Sequence, residues 1–195
     1  MIKPITICSL FLGLVLNSMA QLIKPSPAAA AFTEKLGMVV KAFQHNYYDV
    51  QGELVSSQNN VDLFQSSVSV PGSQKCVIFR FHSTEDSSAS WQAIMYEGSN
   101  YNEAVRIYKS TCRQVDKAPV TIPGKGNFRF TGKTENPSST VRFVSSVYTF
   151  KTKDELYKHL YAEVELVNPN FDQWEVHINI QSKQVDEEDD DTKDE

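Results

Sequence analysis

Residues 174–181 read Trp-Glu-Val-His-Ile-Asn-Ile-Gln, and their alternation decides the fold. Trp174, Val176, Ile178 and Ile180 fall on one side of an extended chain, and Glu175, His177, Asn179 and Gln181 on the other. Successive side chains of a strand point to opposite faces, so this stretch is a strand with one face on a core and the other towards water. Just upstream, residues 160–167 read as its partner, the two joined across Asn168-Pro169-Asn170. Strand-like runs at 127–133 and 140–150 extend the same meander, and 152–159 is ambiguous between a helical turn and the start of a strand.

Further upstream the period changes. Tyr101, Ala104, Val105, Tyr108, Cys112 and Val115 recur at helical spacing, with Pro119 beyond the end. Asn100 followed three residues later by Glu103 resembles a capping box with Asn in place of Ser or Thr. Before this helix come three strand-like runs, 63–70, 75–82 and 91–96, the first two separated by Pro71-Gly72-Ser73. A first amphipathic helix over 28–46 places Phe32, Leu36, Val39, Val40 and Phe43 on one stripe, and 47–54 reads as a transition with Gly52 as its soft point. The order predicts an α+β fold: two helices packed on one face of an antiparallel sheet built from two strand meanders. It is compatible with a doubled helix-plus-meander unit, although no residue-level repeat supports one.

The first 20 residues read as a cleavable export signal. Lys3 supplies a positive start, residues 5–16 form an apolar run, and Ser18 and Ala20 occupy the small-residue positions of a cut before Gln21. The run is too short for a membrane span of about 20 residues, and no second apolar run of that length follows. Ile7 before Cys8 is wrong for a lipidation site. The only Asn-X-Ser/Thr string is Asn136-Pro137-Ser138, with proline in the forbidden place, which favours a bacterial periplasm or exterior. Residues 21–27, with Pro25 and Pro27, read as a spacer, and 28–185 as a single α+β domain.

The formal charge of −5 is unevenly placed. Residues 186–195 hold eight acids and one lysine, whereas 21–185 hold 17 basic and 16 acidic side chains. A nearly neutral body with an acidic tail offers no basic stripe to a phosphate backbone, so nucleic-acid binding is not expected. With no apolar residue after Val185, the tail is expected to be disordered and solvating, and it lacks the turn glycine and spaced oxygens of a calcium loop. After cleavage Cys76 and Cys112 remain, and an even pair in an oxidising compartment predicts a disulfide between them.

Constellations that carry chemistry are weak. Gly132-Lys133-Thr134 resembles the end of a phosphate loop, but the residue five places before Gly132 is Asn127 rather than glycine. His45, His82, His159 and His177 show no metal-ligand spacing, although His177 shares a strand face with Glu175, as general acid-base chemistry would require. Ser87, Ser88 and Ser90 lack a nucleophile-elbow pattern. Tyr47, Tyr48, Tyr96, Tyr101, Tyr157 and Tyr161 are of a type favoured both at binding surfaces and in half-buried packing. The expectation is an exported, soluble, non-catalytic domain that binds a protein or small-molecule partner, without metal or cofactor. The alternative is a secreted hydrolase whose site is assembled from residues distant in sequence.

Overall fold

The computed structural model describes residues 26–82, 88–170 and 172–182. The expected export signal and cleavage site, and the acidic tail, lie outside them.

Helix α1 (Pro27–Ala42) begins one residue earlier than its apolar stripe implies, because Ser26 caps it: its hydroxyl accepts from Ala29 N at 3.3 Å, and Pro27 occupies the first turn, where a missing N–H costs nothing. Phe32, Leu36, Val39 and Val40 are buried as the stripe requires. The expected end at 46 is too late by four residues. The chain tightens into a 3-10 turn at Phe43–His45, then enters the left-handed region at Asn46 (φ 51°) and Tyr47 (φ 63°). This reversal swings Tyr47 under the sheet, where it is fully buried and its hydroxyl donates to the Ile180 carbonyl at 2.7 Å.

The stretch expected to be a transition is instead an edge strand, β1 (Gln51–Gln58). Nearly all its side chains are exposed, so it carries no apolar alternation by which to be recognised. Asn59 and Asn60, both at positive φ, turn it into β2 (Val61–Ser66) as a two-residue hairpin. The meander continues through β3 (Lys75–Phe81) and β4 (Ala89–Gly98). Helix α2 (Tyr101–Lys117) starts at the expected cap, with Asn100 Oδ1 accepting from Glu103 N at 3.1 Å. A second strand without a sequence signal, β5 (Pro119–Ile122), follows it directly. Then come β6 (Gly126–Gly132), β7 (Phe143–Phe150), β8 (Leu160–Asn170) and β9 (Gln173–Ser182).

The nine strands form one antiparallel sheet in the order β1-β2-β3-β4-β9-β8-β7-β6-β5. Each half is a helix followed by a meander, and the last strands of the two halves, β4 and β9, pair at the centre. The doubled helix-plus-meander unit is therefore present in topology. Both helices pack on the same face, over a continuous core that includes Trp91, Tyr108, Val164, Val176, Ile178 and Ile180. The buried Ala104, Tyr108, Cys112 and Val115 of α2 lie on this face, and full burial of one large apolar side chain contributes about 1.5–3 kcal/mol.

The expected bridge between Cys76 and Cys112 is not formed; both are free, buried thiols. Cys76 lies on β3, its Sγ donating to Ser73 Oγ at 3.3 Å. Cys112 belongs to a cluster of hydroxyls at Tyr108, Thr134, Ser146 and Tyr148, the last two from β7. Strands β3 and β7 are four places apart in the sheet, roughly 19 Å at about 4.8 Å per strand. A disulfide needs Cα atoms within about 7 Å.

Candidate functional site on the open sheet face

With both helices on one face, the opposite face of the sheet has no helix over it among the described residues. The register arranges its side chains in rows across the strands. Lys75, Ile94, His177, Glu165 and Ser145 form one row, and Gln65, Val77, Gln92, Asn179, Glu163 and Val147 the next. The row members on β8 and β9 are all polar; Val77 on β3 is buried, whereas Val147 on β7 is exposed.

The polar centre is a connected lattice. Gln92 Nε2 donates to Asn179 Oδ1 at 2.9 Å, and Asn179 Nδ2 donates to Glu165 Oε2 at 2.8 Å. Ser145 Oγ donates to Glu163, and Gln181 Nε2 donates to the Tyr161 hydroxyl at 2.6 Å. Gln173 Nε2 donates to Glu97 Oε1 at 2.7 Å and to Glu175 at 3.3 Å. These bonds join four strands, β4, β9, β8 and β7, with side chains alone, so each carboxylate is held in place before any partner arrives.

His177 sits between two carboxylates. Its Nε2 is 2.9 Å from Glu175 Oε2 and its Nδ1 is 3.6 Å from Glu165 Oε2. The side chains of His177, Glu165 and Glu175 are only 13, 17 and 21 % exposed. Burial opposes the imidazolium, but the hydrogen bonds to Glu165 and Glu175 outweigh it and raise the His177 pKa above the ordinary histidine value. A carboxylate at each ring nitrogen favours the protonated imidazole over the neutral one. Neither Glu165 nor Glu175 is a hydroxyl or thiol, so the pairing with Glu175 read from the sequence is not accompanied by a nucleophile at the ring.

Comparison with family models, curated proteins and solved structures finds no match for this chain.

The remaining sequence candidates do not converge. His45 pairs with Asp49 at 2.5 Å and His82 with Asp62 at 2.6 Å, each an exposed pair, and no group of metal-ligating side chains occurs among the described residues. Tyr47 and Tyr157 are core residues, Tyr48 lies against the Arg80 guanidinium, and Tyr101 packs on Trp174 with ring centroids 4.8 Å apart. Of the six tyrosines singled out in the sequence, Tyr161 belongs to the open-face lattice. Gly132 is a close-packed strand position, and Thr134 shares a hydrogen bond with the Tyr148 hydroxyl at 2.7 Å, so neither serves a phosphate loop. Ser87 lies outside the described residues, and Ser90 opens β4 opposite Phe79. Sequence reasoning missed Glu163, Glu165 and Asn179 as a unit with His177, because only the register joins them.

Proposed function

We propose that this is an exported, non-catalytic domain that binds a protein partner through its open sheet face. The observation that carries the reading is the composition of that face. A carboxylate lattice, fixed by its own hydrogen bonds, lies beside an apolar flank on β7, where Phe143 and Val147 are 52 and 40 % exposed. A prearranged polar centre beside exposed apolar area is what a specific interface requires, since little ordering is left to be done on binding. The export signal read from residues 1–20 supports a location outside the cytoplasm.

Glu97, Glu163, Glu165 and Glu175 make the centre acidic, with the His177 imidazole among them and Lys75 two strands away from β9. A second copy of the same face, or an anionic membrane, would be repelled, so the charge favours a partner that presents lysine or arginine. The test uses purified mature protein and a double variant, Phe143→Asp with Val147→Asp, both positions being exposed. Retention of a protein from the exported fraction by the wild type and its loss in the folded double variant is the expected result. Equal retention, or hydrolysis of ester, glycoside or peptide substrates that His177→Gln abolishes, would refute it.

A further inference from the structure

We propose that the groove between α1 and α2 is a second, separate binding site, for an amphipathic anion with one acidic headgroup and an alkyl or aryl body. The groove encloses about 660 Å³, within the roughly 300–1,000 Å³ of small-molecule sites. Its wall is apolar: Ala29 and Phe32 from α1, Ala118 and Pro119 where α2 gives way to β5. Phe32 and Ala118 are each 2 % exposed, so this floor is built by the core.

Charge selects the headgroup. Arg113 and Lys117 line the groove one helical turn apart on α2, and neither has an ion-pair or hydrogen-bond partner among the described residues. Glu34, the acid on the opposite wall, is drawn to Lys35 at 3.7 Å. The first turn of α1 contains no acid and adds the positive end of its peptide dipoles, while the carboxyl end of α2 opposes it. The net attraction is therefore left to the two cations. A guanidinium is suited to a carboxylate or sulfate by paired hydrogen bonds, and Ser110 and Gln114 beside it offer further donors. Small alanines on α1 leave the depth that a chain or ring would fill. Nothing in this site overlaps the open face of the sheet, which lies on the other side.

Dodecanoate below its micellar concentration is the probe, with dodecyltrimethylammonium, the same chain with the opposite charge, as the control. Calorimetric titration and melting of the mature protein should show binding and stabilisation by dodecanoate alone. Arg113→Gln with Lys117→Gln, both exposed positions, should weaken it by about tenfold or more, equivalent to 1.4 kcal/mol. Ala29→Trp, which fills the groove, should abolish it. Equal binding of the two amphiphiles, no binding of dodecanoate, or affinity unchanged in the double glutamine variant overturns the proposal. If Ala29→Trp fails to fold, the glutamine variant decides alone.

Discussion

Replacing Arg80 should loosen the joint between α1 and the first meander more than any surface change. Arg80 is 4 % exposed on the core face of β3. Its Nη2 donates to the Asn46 carbonyl at 2.9 Å and to Gln51 Oε1 at 2.8 Å, its Nε donates to the same Oε1 at 3.2 Å, and its guanidinium lies 3.8 Å from the centre of the Tyr48 ring. These partners bracket Asn46 and Tyr47, the two left-handed residues at which the chain reverses. Hydrogen bonds to a charged group contribute about 1.5–3 kcal/mol, and a desolvated cation–π contact about 2 kcal/mol. The contributions share one side chain and do not add, so Arg80→Ala should cost about 3–4 kcal/mol. For a domain of this size that lowers Tm by roughly 10 °C, at about 2–4 °C per kcal/mol.

Arg80→Lys keeps the charge but not the fork and should lose about half as much. Thermal melting followed by circular dichroism measures both, and amide exchange should quicken first at residues 46–51. A loss below about 1 kcal/mol in Arg80→Ala, or faster exchange spread evenly over the sheet, would refute the idea that one buried cation holds this joint.

Other perturbations test other parts of the account. Gly132→Ala should cost at least about 3 kcal/mol, because its Cβ would lie 2.1 Å from the Val147 carbonyl oxygen and 3.0 Å from Tyr148 Cα, so β6 must part from β7; urea unfolding checks it. Mature exported protein, alkylated after denaturation without reductant, should carry two labels by mass spectrometry, and Cys112, whose thiol pKa is pushed up by burial, should resist labelling in the native state. His177 has its pKa raised in the folded protein, so its contribution to stability is complete below the unfolded value of about 6.5 and is lost as pH rises through the folded value. Stability should therefore fall across this alkaline limb in the wild type, and His177→Gln should flatten the slope.

Elements with a strong local signal were legible in the sequence. Asn100 caps α2 as read, its Oδ1 accepting from Glu103 N, although the Glu103 carboxylate turns to Arg106 instead of closing the box, and β9 buries Val176, Ile178 and Ile180 as its alternation requires. The strands that gave no signal, β1 and β5, are short of the property that sequence reading uses. Strand β1 lies at a sheet edge with Leu54 and Val55 both exposed, and β5 has only four residues beginning with proline. The Asn59-Asn60 turn was a readable hairpin signal, but its upstream flank is polar, so nothing marked the strand it begins from.

The site was half legible for a more specific reason. A turn at Asn168-Pro169-Asn170 would pair Val167 with Phe171 and Glu165 with Gln173. In the structure β8 continues through Asn170, with Pro169 inside the register break between Val167 and Asn170, where a missing ladder donor is tolerated. Val167 then pairs with Glu175, and Glu165 with His177. Each partner has moved along the opposing strand by four residues, an even number, so every side chain stays on the face the alternation assigned to it. Faces survive such an error, whereas neighbours do not. That is why the inward and outward residues of β9, and Glu175 beside His177, could be read from eight letters, while the second carboxylate at the ring, Glu165, could be found only once the hairpin's true turn was known.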